Sequence, residues 1–242
     1  MKYTALIDFE FVKYGQECIY LISYGMIIIN SNNDIVEAIY RRCSTHAKKL
    51  SKRYENLLHL TKKELKIEGV DEYLIGEELK EFIAKYKLKG NLYGWGTYND
   101  NKLIKSLAGK KLYIKDLQSK YKHELVRLGL EGAIYEPRSM GLNKLCNIIN
   151  IPSIDLPHKH HPLEDMIALS TALDKINGLT HISEILDEAT MYRFGLINAY
   201  YFDNTYNRYD KNYIELLNER YDGNMITEVK AAEGKELYKI IE

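Results

Sequence analysis

The stretch KYTALIDFEFVKYGQECIYLISYGMIIINSNNDIVEAIYRR (residues 2–42) decides the fold. Residues 2–7, 17–30 and 35–42 are rich in β-branched and aromatic side chains, and the Asn-Ser-Asn-Asn-Asp cluster at 30–34 is typical of a turn. Three consecutive strands joined by short turns favour an antiparallel meander. This stretch therefore predicts the first three strands of a sheet.

Helical and strand-like patterns alternate in the rest of the chain. Further strands are expected at residues 91–94 and 111–117. Helices are expected at residues 46–60, 76–86, 100–107, 142–149 and 163–176. The order predicts an α/β fold: a mixed sheet, antiparallel in its first three strands and flanked by helices. We expect one domain at residues 1–178 and a helical C-terminal extension at residues 179–242.

The composition is that of an ordinary globular protein. The 242 residues carry 34 Lys and Arg against 34 Asp and Glu, and 45% are hydrophobic. Zero net charge argues against a polycation that coats nucleic acid, but it does not exclude a local basic face. The longest apolar run, residues 18–29, is too short to span a membrane, and three distant cysteines favour neither disulfides nor a cysteine-rich zinc site. We expect a cytoplasmic protein that does not bind membranes.

Charge is unevenly distributed along the chain. Residues 41–66 contain nine Lys or Arg and two Glu, whereas residues 67–81 contain six acids and one Lys. The basic stretch is either a phosphate-binding surface or a solvated helix face. Residues 184–242 carry 12 acidic and 7 basic residues together with eight tyrosines. This part of the extension either packs on the domain as a cap or serves self-association or a protein partner.

A pair of acids follows the first apolar strand. Asp8 and Glu10 lie in LIDFEF, and because side chains alternate along a strand, both carboxylates point to one sheet face while Phe9 and Phe11 point to the other. Two carboxylates about 7 Å apart repel each other unless a cation lies between them. Hard oxygen ligands favour Mg²⁺ or Mn²⁺. The pair is therefore a candidate metal site.

A third acid, Asp100, stands where a short strand ends and a helix begins, in NLYGWGTYNDNKLIKSL (residues 91–107). A carboxylate at a helix start suits the helix dipole. Asp100 is thus either a site residue or, with Asn99, a simple N-cap. Asp116 is the alternative carboxylate in this region.

The fourth element is HKHHPLEDMIALSTAL (residues 158–173). Asp165 lies in the first turns of the helix, and His160 lies just outside it, so an imidazole and a carboxylate can approach one site. Two other interpretations are an exposed loop and a metal site formed by His158, His160 and His161. The metal site lacks an obvious further ligand.

These elements together, in this order, resemble the motifs of the DEDDh exonucleases, the DnaQ-like branch of the RNase H-like superfamily. The matching residues are Asp8, Glu10, Asp100, His160 and Asp165. The resemblance covers about residues 1–177 and implies an RNase H-like sheet.

Shorter segments carry the same resemblance. Residues 17–29 are similar to the family's second strand, with Gly25 at its usual glycine, and residues 59–65 are similar to its H-x-T segment. Trp95-Gly96, before the second motif, resembles the Eri-like and KapD-like group. The second motif is one residue longer here than the usual form.

The resemblance implies a two-metal hydrolysis of phosphodiester bonds that releases nucleoside 5′-monophosphates from the 3′ end of single-stranded nucleic acid. Two Mg²⁺ or Mn²⁺ ions are the implied cofactors. One ion is expected between Asp8, Glu10 and Asp165. Asp8 bridges to the second, which Asp100 reaches through a water. His160 is the implied general base, since imidazoles titrate near neutrality.

Aromatic residues beside these motifs are candidates for substrate binding. They are Phe9, Phe11 and Tyr98. Phe9 either stacks on a terminal base or packs in the core opposite the acids. The resemblance of Trp95-Gly96 to the Eri-like group slightly favours RNA as substrate. The alternatives are a DNA proofreading or repair exonuclease and a non-catalytic nucleic-acid-binding module on the same fold.

Overall fold

A computed structural model of the chain describes residues 2–14, 18–47, 50–130, 140–149, 151 and 160–187. In these residues three strands come first, and helices and strands alternate afterwards. The strands are β1 (Thr4–Tyr14), β2 (Cys18–Ile29), β3 (Ile35–Arg42), β4 (Leu92–Gly94) and β5 (Lys115–Asp116). The helices are α1 (Lys52–Leu58), α2 (Lys62–Glu68), α3 (Glu72–Lys85), α4 (Asp100–Leu107), α5 (Leu117–Arg127), α6 (Leu142–Ile148) and α7 (Pro162–Asn177), followed by a short 3₁₀ helix (Ile182–Glu184).

The five strands form one mixed sheet in the order β3-β2-β1-β4-β5. β1 to β3 pair antiparallel, whereas β1 with β4 and β4 with β5 pair parallel. The predicted mixed sheet with three antiparallel first strands is confirmed. The β1–β4 pairing extends only to Leu6 opposite Tyr93, so the second half of β1 passes beyond the end of β4. That half contains Asp8 and Glu10.

Apolar side chains cover both faces of the sheet. One face packs against α5, α6 and α7 in a cluster that includes Leu6, Ile27 and Met166. The opposite face, which carries Ile7 and Phe9, packs against α3 and α4. Burial of these side chains drives the folding of the three layers.

Besides elements whose ends are shifted, two predicted elements differ from the structure. Residues 111–117 were expected to form a strand, but only Lys115–Asp116 pair as β5, and α5 begins at Leu117. The Asp116 side chain accepts a hydrogen bond from the backbone of Gln118 and caps the helix. On α5, the buried residues Leu117, Tyr121 and Leu125 lie four positions apart on one face of the helix.

The expected helix at 46–60 is shorter and is followed by a second helix. α1 begins after the N-cap Ser51 and ends at Leu58, because the C-cap His59 has a φ of 50° in the left-handed region. α2 begins after the N-cap Thr61, which forms a capping box with Glu64. The left-handed residue and the new cap thus shorten the predicted helix and start a second helix that was not predicted.

The described part of the C-terminal extension packs on the domain. Ile182 and Leu186 are buried, and the backbone N–H of Ile182 donates to the carbonyl of Leu128. Residues 188–242 lie outside the described residues, and the predicted domain boundary at 178 stays a prediction. Among the helices that the structure describes, none is long and apolar enough to cross a membrane.

Candidate metal and catalytic site

Asp8 and Glu10 lie in the part of β1 that faces α7. Asp8 pairs with Gly25 on β2, and Glu10 pairs with Ser23. The pairing register shifts after Glu10, because Phe11 pairs with Leu21 and Ile22 of β2 is passed over. Such a bulge bends a strand and changes where its side chains point. The two acids therefore lie in the regularly paired part of β1, immediately before this shift.

Gly25 brings α7 close to these acids. A Cβ atom at Gly25 would lie 2.1 Å from the backbone nitrogen of Leu163 and 2.4 Å from the carbonyl carbon of Pro162. Only glycine allows so close an approach of backbone to backbone. The first turn of α7, which carries Asp165, consequently lies directly on β2 beside Asp8.

Three carboxylates converge at this contact. One oxygen each from Asp8, Glu10 and Asp165 lies within 4.8 Å of the other two, and all three residues are half-buried. Among the described residues this is the one cluster of acids, histidines or cysteines with a geometry that could hold a metal ion.

Asp100 lies close to this cluster. It is the first residue of α4 and is 5% exposed, and its charge contributes to the raised pKa values of Asp8 and Glu10. Its Oδ1 is buried without a hydrogen-bond partner among the described residues. Asn99, the N-cap residue, makes no side-chain capping bond. Asp100 thus points into the site instead of capping its own helix.

Burial raises the pKa values of all four carboxyl groups, and repulsion from the other acids of the site adds to it at Asp8 and Glu10. Burial first, and then the charges of the neighbouring acids, raise the pKa of Asp8 well above its usual range. Burial and the charge of Asp165 raise the pKa of Glu10 to about 8. Burial raises the pKa of Asp100 and of Asp165 to about 6. A cation between the four groups would relieve this repulsion.

His160 lies at the open side of the carboxylates. Its Nδ1 is 3.7 Å from Oε1 of Glu10, and 43% of its side chain is exposed. Its φ of 66° is in the left-handed region, which is uncommon for a residue other than glycine. The neighbouring His161 packs its ring on Tyr40 of β3, with centroids 4.1 Å apart. His158, the third member of the rival metal site, lies outside the described residues.

Hydrogen bonds fix the start of α4. The buried side-chain amide of Asn101 donates to the carbonyl oxygens of Thr97 and Ile114 and accepts from the N–H of Ile114. Asp116, the alternative to Asp100, bonds the N–H groups of Gly96 and Gln118. It therefore stabilises the loop before α4 and the start of α5.

The three candidate substrate-binding aromatics differ in exposure. Phe9 is 2% exposed and packs 6.0 Å from the ring of Tyr24, so it occupies the core position that was one of its two interpretations. Stacking of Phe9 on a base would require β1 to rearrange. Phe11 is half-buried beneath Lys13, and Tyr98 is 74% exposed.

A small cavity of about 30 Å³ lies next to the histidines. It is lined by Ser23, Tyr40, Arg42, Leu58, His59, Leu60, His160 and His161. Ser23, Tyr40 and Arg42 were not among the candidate residues. Their only sequence signal was their place on β2 and β3, since Ser23 is a polar residue inside an apolar strand.

No family model matches the chain, and no curated protein matches it. Solved structures do. The nuclease domain of 3′hExo, a DEDDh family member, bound to rAMP, is 13% identical with a TM-score of 0.54, over 74% of this chain and 94% of that one. Cell-death related nuclease 4 (CRN-4) is 14% identical with a TM-score of 0.57, over 74% of this chain and 65% of that one.

E. coli Exonuclease I in complex with a dA16 oligonucleotide is 13% identical with a TM-score of 0.54, over 80% of this chain and 44% of that one. The chain thus spans less than two thirds of the length of CRN-4 and of Exonuclease I. At such identities the likeness concerns the fold. The chain therefore shares the α/β fold of these three nuclease structures.

Proposed function

We propose that the chain is a metal-dependent 3′–5′ exonuclease that removes nucleoside 5′-monophosphates from single-stranded nucleic acid. The convergence of Asp8, Glu10 and Asp165 within 4.8 Å carries the proposal. Asp100 and His160 lie beside this cluster, in the order along the chain that resembles the DEDDh motifs. The fold shared with exonuclease structures supports the same function.

The donor set fits two divalent cations such as Mg²⁺ or Mn²⁺. All four acids offer hard oxygen ligands, and burial and mutual repulsion raise the pKa values of Asp8 and Glu10 with no cationic side chain of the described residues to oppose them. The buried Oδ1 of Asp100, which has no hydrogen-bond partner among the described residues, is a further unused ligand atom. Asp8, Glu10 and Asp165 would hold one ion, and Asp8 with Asp100 would hold the second.

Divalent ions at such a site activate the attacking water and neutralise charge on the phosphate and the leaving oxygen. The protein residues do the rest. His160 accepts the proton of the attacking water at an imidazole nitrogen, and the nearby Glu10 carboxylate stabilises the imidazolium that forms. Phe11 and Tyr98 are the proposed contacts to the terminal bases.

Single-stranded RNA is the substrate that we propose first, on the resemblance of Trp95-Gly96 to the Eri-like group. The fold does not distinguish RNA from DNA, because that selectivity depends on contacts to the 2′-hydroxyl. Matched RNA and DNA strands, compared under identical conditions, decide between an RNase and a DNA-directed exonuclease.

Alanine variants of the carboxylates test the function. Asp8→Ala and Asp165→Ala should abolish Mg²⁺- or Mn²⁺-dependent degradation of a labelled strand. His160→Ala should lower the rate about 100-fold or more, the usual contribution of a general base, while metal binding persists. Asp174→Ala, which removes an exposed acid from the same helix as Asp165, is the matched control and should leave the rate unchanged. Full activity in the Asp8 and Asp165 variants would contradict the assignment.

A further inference from the structure

Two lysines on the exposed face of α4 each contact a tyrosine ring. Lys102 Nζ lies 4.8 Å from the centroid of Tyr98, and Lys105 Nζ lies 5.7 Å from that of Tyr113. The two tyrosines are 74% and 55% exposed, whereas tyrosine is typically intermediate in burial. We call these four residues the α4 stripe.

The α4 stripe begins beside the carboxylates. Tyr98 precedes Asp100 by two residues, and Lys102 and Lys105 follow it at the spacing of one helix face. The opposite face of α4 is buried in the core. Because a helix rises about 1.5 Å per residue, the stripe leads about 10 Å away from the site between Tyr98 and Lys105.

The chain segment that carries most of the α4 stripe is positively charged. Residues 101–115 contain five lysines and no acid. Among them, Lys110, Lys111 and Lys115 are exposed like the two lysines of the stripe. This segment thus places a concentrated positive charge next to a concentrated negative one at the carboxylates.

We infer that the α4 stripe binds a single-stranded nucleic acid from its terminal bases, at Tyr98, to the nucleotides that lie farther upstream of the reacting 3′ end. The inference rests on the proposed function and extends the predicted role of Tyr98 to a continuous surface. Ammonium groups attract the phosphates, and exposed rings stack on bases without requiring a particular sequence. A bound phosphate draws the lysine ammonium away from the tyrosine ring that the lysine covers. A base then stacks on the uncovered face of that ring.

Binding of a 5′-fluorescein-labelled single-stranded RNA of about 15 nucleotides, measured by fluorescence anisotropy, tests the inference. All proteins carry Glu10→Gln and a gel confirms that the RNA stays intact. Tyr98→Ala should weaken binding about tenfold, since it removes one stacking platform, and Tyr98→Phe should bind like the parent protein. Lys102→Ala/Lys105→Ala should reduce the slope of log Kd against log salt by about 1.4.

Lys63→Ala/Lys66→Ala is the matched control. These exposed lysines lie three residues apart on α2, as Lys102 and Lys105 do on α4, and they belong to the basic stretch at 41–66. The α2 pair should change affinity less than twofold. The inference is overturned if the α2 pair weakens binding as much as the α4 pair, or if the α4 variants bind like the parent.

Two further outcomes are informative. If poly-glutamate displaces the labelled RNA as effectively as unlabelled RNA does, the stripe binds acidic proteins and the inference is overturned. Failure of the proposed function is seen in a separate measurement. In that case the wild-type chain leaves the RNA intact in Mg²⁺ or Mn²⁺, whatever the anisotropy of the Glu10→Gln proteins shows. Unchanged thermal unfolding of each variant confirms that only the surface was altered.

Discussion

Glu10→Gln should make the metal-free protein more stable although it removes a proposed metal ligand. Burial, and then the charges of Asp165 and Asp100, raise the pKa of Glu10 from 4.5 to about 8. The folded state therefore binds the Glu10 proton more tightly than the unfolded chain does. The free energy of unfolding consequently falls as the pH rises from about 4.5 towards 8. Glutamine, a neutral amide of similar shape, avoids this loss of free energy of unfolding.

The size of the effect follows from the pKa shift. At pH 7 the folded carboxyl is still mostly protonated, and the pH lies about 2.5 units above the unfolded pKa of 4.5. Each unit corresponds to about 1.4 kcal/mol, so Glu10 costs about 3 kcal/mol at pH 7 and almost nothing near pH 4. In a chain of this length, that energy corresponds to a change in Tm of about 6–12 °C.

Thermal unfolding in EDTA at pH 5 and pH 8 measures the effect of Glu10→Gln on stability. Glu10→Gln should raise the Tm far more at pH 8 than at pH 5. Glu81→Gln, which removes the same charge from an exposed position on α3, should change the Tm little at either pH. Mn²⁺ should stabilise the wild-type chain more than the Glu10→Gln variant. A Glu10→Gln protein that is no more stable than wild type at pH 8 in EDTA would refute the reasoning.

Three other outcomes are expected. Gly25→Ala should lower the free energy of unfolding by about 3 kcal/mol or more and reduce hydrolysis, because its Cβ would meet Leu163 at 2.1 Å. Gly141→Ala, with no atom within 4 Å of its Cβ, is the control, and equal urea midpoints for the two variants would contradict the close approach. Asn101→Ala should cost about 2–4 kcal/mol in urea unfolding, since it leaves the buried backbone of Ile114 without its side-chain partner. Metal affinity, measured by titration calorimetry, should rise between pH 6 and pH 8 as the carboxyl groups lose their protons, and added metal should move the midpoint of the activity profile to lower pH. A pH-independent affinity over that range would argue against four coupled acids.

The sequence predicts the sheet and several element bounds well where the apolar pattern agrees with the capping and turn residues. β3 matches the expected 35–42, and α4 matches the expected 100–107. α7 begins at Pro162 and ends at Asn177, one residue outside the expected helix at each end. A proline at the first position and a Gly at the C-cap mark that helix in the sequence.

Contacts between distant segments could not be predicted in the same way. β1 extends to Tyr14, well past the expected residue 7, because pairing with β2 stabilises its polar second half. The distance between Asp8 and Asp165 depends on Gly25, whose missing side chain matters only once α7 lies on it. Whether Asp100 caps its helix or points into the site likewise depends on the neighbouring strand, not on its own segment.

α5 shows a different kind of error. Its apolar residues repeat every four positions at Leu117, Tyr121 and Leu125, and Asp116 precedes them as a capping residue. The helical signal was thus present, but the β-branched and aromatic residues just before it favoured a strand. Local propensity was decisive in the prediction, whereas packing of the helical face decides the structure.

The proposed exonuclease activity is tested by following a 5′-labelled single-stranded RNA through time in Mg²⁺ or Mn²⁺ with the wild-type chain. A metal-dependent 3′–5′ exonuclease gives a ladder that shortens by one nucleotide at a time, release of nucleoside 5′-monophosphates, and complete inhibition by EDTA. A single internal cut, or degradation that continues in EDTA or in the Asp165→Ala variant, would contradict the proposed activity.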